Sequence, residues 1–182
     1  MTRYLVVGTL VTAVALFVWQ ALANTVIPWH SAPMRTTTAA QDAAIHGALP
    51  VNGMYYSVAG VLVVVNAAPD FHDRSREMGA PLARQFVIDI VIALLLAFVA
   101  LRLPRRHKAL ETGITVALAA AAFAACLAIS DWNWYGYPFA FALSNVADPA
   151  VQGFLAGVLL GWARHRFVPV TVGPQRLVAT AG

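Results

Sequence analysis

Charge is scarce in this chain: 11% of its 182 residues are Asp, Glu, Lys or Arg, against about 25% in a soluble domain. That shortage excludes an ordinary water-facing surface. Cysteine is scarcer still. Cys126 stands alone in an alanine-rich apolar run, which excludes an intrachain disulfide and a cysteine-based zinc site. Reaction motifs are missing as well. No nucleophile elbow, phosphate loop, HExxH or dinucleotide fingerprint occurs. No cofactor is implied, and the sequence points away from an enzyme. The net charge of +4 does not indicate nucleic acid, because the basic residues sit at the ends of apolar runs instead of forming one solvated face.

What the chain has is oil. Hydrophobic residues make up 60% of it, and its mean hydropathy is +0.70. A bilayer core of about 30 Å needs about 20 helical residues. Four runs qualify, at approximately residues 4–23, 84–101, 112–130 and 138–164. The fold class is therefore an all-α membrane protein: a single membrane domain over residues 1–182, built as a four-transmembrane-helix bundle. Residues 1–23 also resemble a secretory signal, with Arg3, an apolar stretch and Ala21-Leu22-Ala23 before Asn24. The length of the apolar stretch and its end at Trp19 favour an uncleaved span.

Residues 24–82 are the one large extramembrane piece, expected to fold as a small extracytoplasmic α+β cap between the first two spans. Pro28 ends the first helix, and Thr36, Thr37 and Thr38 offer an N-cap to a helix over 39–49. Met54 to Val58 and Val61 to Val65 flank Ala59-Gly60 as a hairpin. Asp70 to Glu77 is charged and turn-like.

Orientation follows from basic residues. Arg102, Arg105, Arg106 and Lys108 fall within seven residues, the pattern of a short cytoplasmic loop. Both termini are then cytoplasmic, with Arg3, Arg164, Arg166 and Arg176 on the same side, and residues 24–82 and 131–137 are extracytoplasmic. Residues 167–182 form a loose tail. Trp29, Trp132, Trp134, Tyr135 and Tyr137 suit the headgroup zone. Ser130-Asp131, beside Trp132, suits a lipid-modifying site less than a helix cap at the interface.

Small residues recur every four positions at Gly113, Ala117, Ala121 and Ala125, and again at Gly153, Gly157 and Gly161. Each set occupies one helix face, where a second backbone can approach closely. The spacing fits packing within the chain, a homo-oligomer or a membrane-protein partner alike.

Two acids fall inside the apolar runs. Intramembrane carboxylates mark a functional path or a polar lock between helices. Asp89 lies in the second run. Asp148, followed by Pro149, lies in the fourth with Ser144, Asn145 and Gln152 on neighbouring turns. If Asp148 capped the helix, the apolar part to Ala163 would extend only about 22 Å, too short to span. A helix from Pro138 to Ala163, kinked at Pro149, would extend about 38 Å and suffice. A broken helix with a re-entrant half over 139–147 is the third possibility. Gln20 and Asn24 of the first span are possible partners of the acids. His30, His46 and His72, with Asp70 and Asp73, lie on the outer side, but their spacings match no compact metal motif, so no metal is assigned. His107 and His165 stand beside cytoplasmic basic residues, where anionic headgroups are the simplest contact.

The segments Pro28-Trp29-His30, Asn52-Gly53-Met54-Tyr55-Tyr56 and Trp132-Asn133-Trp134-Tyr135-Gly136-Tyr137-Pro138 together resemble a group of small four-span bacterial membrane proteins. The resemblance implies that architecture over most of the chain and a bacterial inner-membrane location. It carries no catalytic residues. The function expected is that of a non-catalytic accessory or assembly subunit. Alternatives are a small proton- or cation-coupled carrier or channel using Asp89 and Asp148, and a membrane enzyme acting on lipid or quinone beside the Trp132–Tyr137 aromatics.

Overall fold

A computed structural model describes residues 1–35, 37–51, 53–56, 62–65, 79–104 and 106–169. Four of its helices are long and apolar enough to cross a membrane. The first, α1, runs from Tyr4 to Thr25, its opening turn Tyr4–Gly8 in π-helical form. The others are α3 (Gly79–Arg102), α4 (Ala109–Tyr135) and α5 (Phe139–Phe167). Their apolar side chains point outward: Val6, Val14, Val18, Val87, Val91, Leu95, Phe98, Leu118, Phe123 and Leu127 are all exposed. A water-soluble monomer rarely carries so continuous an apolar exterior. By length and composition this is a multi-span membrane protein.

The interior is lined with small and polar residues. Helix α5 is central and touches α1, α3 and α4, whereas α4 packs almost solely on α5. The glycines explain how closely. A Cβ added at Gly157 would lie 2.7 Å from Gly113 Cα and from the Thr112 carbonyl oxygen. One added at Gly153 would lie 2.9 Å from the Val116 oxygen and 3.2 Å from Ala117 Cα, and one at Gly161 would lie 2.9 Å from Ala109 Cα. The faces carrying Gly113 and Gly153 to Gly161 therefore meet each other inside one chain. Farther along α4, Ala121 and Ala125 are half-buried.

Two ends of the bundle are distinct. One carries Tyr4, Arg102, Ala109 and Arg164 and is called the arginine end. The other, where α1 ends and α3 begins, is the aspartate end. At the arginine end Tyr4 is fully buried, and its hydroxyl donates to the Ala97 carbonyl at 2.9 Å.

Helix boundaries depart from the hydropathy runs in ways local chemistry explains. Helix α3 starts at Gly79, five residues before the apolar run, because Pro81 fits a first helical turn, where no backbone donor is required. Helix α4 continues through Asp131, Trp132 and Trp134 to Tyr135, so these residues are helical and do not form a loop. Ser130 donates back to the Cys126 carbonyl within the helix, so the Ser130-Asp131 pair is not a cap. The stop is Gly136, whose φ of 69° no branched residue would adopt readily. Helix α5 runs unbroken through Pro149. Asp148 is thus an interior residue of a continuous helix, neither a cap nor the edge of a re-entrant half.

Between α1 and α3, helix α2 (Ala39–Ala48) is opened by a reciprocal cap: Gln41 N–H donates to Thr38 Oγ1 and Thr38 N–H to Gln41 Oε1. Strands β1 (Gly53–Tyr56) and β2 (Leu62–Val65) pair antiparallel, with Gly53 opposite Val65 and Tyr56 opposite Leu62. These pieces do not amount to the expected cap. No residue of α2 is buried, and among the described residues neither it nor the strand pair makes an extensive contact with the bundle or with the other. Ala59-Gly60, the 70–77 stretch, His72 and the tail beyond residue 169 lie outside the described residues.

Candidate functional site

Helix α1 brings the two acids into one network. Its consecutive residues Trp19 and Gln20 point to different partners. The indole N–H of Trp19 donates to Asp148 Oδ1 at 2.6 Å. The amide nitrogen of Gln20 donates to Asp89 Oδ1 at 3.0 Å and to Gln152 Oε1 at 3.3 Å. From one turn earlier on α3, Gln85 adds a second donor to Asp89 Oδ1 at 3.1 Å. The rise of a helix sets both acids at similar depth, about 15 Å into α3 for Asp89 and about 14 Å into α5 for Asp148.

The turn after α1 closes over this network. Trp29 stacks edge-on against Trp19 with ring centroids 5.9 Å apart, and His30 against Trp29 at 5.5 Å. His30 Nε2 then stands 3.5 Å from Asp148 Oδ2, an ion pair whenever the imidazole is protonated. Trp29 therefore belongs to the acid cluster more than to a headgroup belt. Trp132, Trp134 and Tyr135 do face outward, and Trp134 is 78% exposed. Tyr137 is half-buried and packs edge-on against Phe141 at 5.8 Å.

The cluster has hydrogen-bonding capacity to spare. Asp89 is fully buried and its Oδ2 has no partner; Trp29 Nε1 and His30 Nε2 also lack hydrogen-bond partners among the described residues. Buried polar atoms are almost always satisfied, and Asp89 Oδ2 and Trp29 Nε1 are free to bond a further polar group at this end of the bundle. No group of three metal-ligating side chains exists among the described residues. His46 is exposed on α2. Asn145 lies half-buried one turn before Pro149, whose ring nitrogen leaves the Asn145 carbonyl without its helical donor.

A cleft of about 360 Å³ leads to this cluster from the side. It separates α3 from α4, which are consecutive in sequence yet make almost no direct contact among the described residues. Its walls are Ile92, Leu96 and Val99 of α3 and Val116, Ala119 and Ala120 of α4, with Leu103 and Thr115 toward the arginine end; Leu16 and Gln152 close its depth. The walls are mostly apolar, the Thr115 hydroxyl being bonded to the Glu111 carbonyl, and Gln152 carries the cleft into the hydrogen-bonded network.

At the arginine end Arg164 is buried and spans four carbonyls. It donates to Ala100 at 2.6 Å, Leu103 at 3.0 Å, Pro104 at 3.2 Å and His107 at 3.4 Å. The ring of His165 adds a contact from Nε2 to the His107 oxygen at 2.8 Å.

Sequence reasoning named Asp89, Asp148, Gln20 and Gln152 but missed Trp19, Gln85 and Arg164. Trp19 and Arg164 matched membrane-interface statistics, which describe depth and say nothing of partners. Gln85, four residues before Asp89, carried a usable signal in its i,i+4 spacing. A search of protein-family models, curated proteins and solved structures finds no match to this chain.

Proposed function

We propose that this chain takes a membrane-soluble amphiphile from the bilayer, holds its hydrocarbon tail between α3 and α4, and presents its polar head to Asp89, Asp148 and His30. The observation that carries this reading is the lateral cleft ending on Gln152, one hydrogen bond from Gln20 and two from Asp89. A ligand pocket is typically about 300–1,000 Å³, mostly apolar, with a few convergent polar groups. The cleft meets that description, and hydrocarbon is what surrounds its mouth. The orphaned atoms define the head: a group bearing carbonyl or hydroxyl oxygens, as a quinone or an ester lipid does, would accept from Trp29 and donate to or accept from Asp89. A carboxylate pair beside an imidazole suits proton exchange with such a head.

The test is the ligand content of detergent-purified protein after solvent extraction and mass spectrometry. Wild type is expected to retain one amphiphile enriched over bulk lipid. Ala119→Trp, which fills the cleft from a wall position, is expected to lose it, and Asp89→Asn with Asp148→Asn to reduce it about tenfold. Equal lipid profiles in wild type and Ala119→Trp would refute the reading.

The accessory role remains a second reading, because every bond in the cluster also ties one helix to another, and exposed Leu118, Phe123 and Leu127 leave α4 open to a partner helix. Stoichiometric co-purification of another membrane protein, with no enriched amphiphile, would favour it. Transport fits less well, since Leu16 and close-packed alanines lie below the acids.

The location proposed is a bacterial cytoplasmic membrane with the arginine end inside. In a Cys126→Ala background, an impermeant maleimide applied to spheroplasts is expected to label Asn133→Cys and to spare Arg106→Cys until lysis. The reverse pattern would invert the topology.

A further inference from the structure

Thr9 and Thr12 of α1 are buried, Thr12 completely, and neither hydroxyl has a hydrogen-bond partner among the described residues. A helical hydroxyl ordinarily donates to the carbonyl four residues earlier. Four others in this chain do so: Thr25 to Ala21, Thr112 to Lys108, Thr115 to Glu111 and Ser130 to Cys126. The two exceptions are adjacent, one turn apart on the same face, and follow directly on the π-helical turn Tyr4–Gly8. Such turns disturb the carbonyl ladder and are frequent at functional positions.

What stands opposite them is small. The Tyr4–Ala97 and Gln20–Asp89 hydrogen bonds set the antiparallel register of α1 on α3. Interpolating between them brings Thr12 level with the buried alanines Ala93 and Ala97. On the other side, Gly8 abuts Ala163 and Leu160, which brings Thr12 level with Ala156 and Leu160. The α3 and α5 residues named at these levels are apolar, and the Thr112 hydroxyl of α4, against Gly161, is already bonded to the Lys108 carbonyl.

We infer that Thr9 and Thr12 hold internal water in the half of the bundle nearer the arginine end, and that Leu16 is the plug separating this water from Asp89. A buried water needs two to four polar partners, and the two hydroxyls provide two. Thr12 and Gln20 are about 12 Å apart along α1. Leu16 lies midway, fully packed, and also closes the depth of the lateral cleft. At the far end the buried Tyr4 has its hydroxyl bound to Ala97 and the buried Arg164 spreads its charge over four carbonyls, with Arg3, Arg102, Arg106, His107, Lys108, Glu111, His165 and Arg166 also at that end. An apolar constriction of this kind closes by dewetting. Along α1, Leu16 thereby separates the threonine pair from the aspartate cluster.

The test uses full-length protein in liposomes of neutral and anionic phospholipid, with an internal pH dye and an imposed pH gradient. Wild type is expected to be tight. Leu16→Ser is expected to raise proton leak at least about tenfold, because a polar plug stays wet. Adding Thr12→Val is expected to return the leak to the wild-type level. A tight Leu16→Ser protein with a wild-type unfolding profile, or a leak that Thr12→Val leaves unchanged, overturns the inference. Should Leu16→Ser fail to fold, Thr12→Val alone decides. If Thr12 binds water, the apparent Tm falls by about 2–4 °C; if its hydroxyl is dry, removing an unsatisfied group leaves Tm unchanged or raises it, and the inference fails. The Thr12→Val readouts stand apart from whether the cleft holds an amphiphile, since Thr12 is not among the residues lining it.

Discussion

Gly157→Ala is expected to destabilise the protein by about 2–3 kcal/mol, and Gly157→Leu to leave no stable folded monomer. The new Cβ would lie 2.7 Å from two backbone atoms of α4, Gly113 Cα and the Thr112 oxygen. Backbone cannot rotate aside as a side chain can, so α4 must move away along its length. That loss is severe here, because helices in lipid hold together by dispersion contact and have no hydrophobic force to draw them together. With α4 packed almost solely on α5, no other interface compensates. Gly47→Ala is the control, since its Cβ would meet nothing within 4 Å. Thermal unfolding in detergent, followed by near-ultraviolet circular dichroism, should separate the two. A Gly157→Ala midpoint equal to that of Gly47→Ala would contradict the packing described.

Arg164→Ala is expected to cost about 3–5 kcal/mol, the magnitude of breaking a buried charge network by removing one member. The guanidinium satisfies the Ala100 carbonyl near the end of α3 and three carbonyls of the loop leading to α4. Truncation removes the guanidinium from all four at once, leaving the Pro104 carbonyl its bond from the His107 N–H and the His107 oxygen its contact with the His165 ring. It also removes a positive charge from the C-terminal end of a helix, where the dipole favours one. Arg164→Lys is expected to recover little, since an ammonium is a point charge and cannot reproduce a planar fork over four acceptors. The same unfolding measurement applies, and near-wild-type stability of Arg164→Lys would show that charge alone suffices.

Arg164 also illustrates which features the sequence could express. Counting Arg and Lys locates a membrane surface, and Arg164 contributes to that count like its neighbours. Nothing in the count distinguishes exposed Arg166 from a residue buried under the end of α3. The four spans were legible because an apolar run of sufficient length has one stable answer in lipid. Four-residue spacing of small residues was legible as a face, but a face does not name its partner; only the coordinates bring Gly157 onto Gly113. The acids were conspicuous because hydrocarbon makes charge expensive. Trp19 and His30 were not, since a tryptophan near a helix end and a histidine in a loop are ordinary there. The region 24–82 shows the opposite difficulty. Local rules anticipated its helix, but nothing local says whether such pieces pack together, and α2 buries no residue.

The tie between Trp19 and Asp148 has a consequence in time. The two residues are 129 positions apart, so at a synthesis rate of about 5–20 residues per second the indole waits roughly 6–26 s for its acceptor to exist. Gln20 meets Asp89 earlier, once α3 has been made. The nascent chain therefore passes through a stage in which α1 is tied to α3 by the Gln20–Asp89 and Tyr4–Ala97 bonds, and α5, made later, completes the assembly of the first helix.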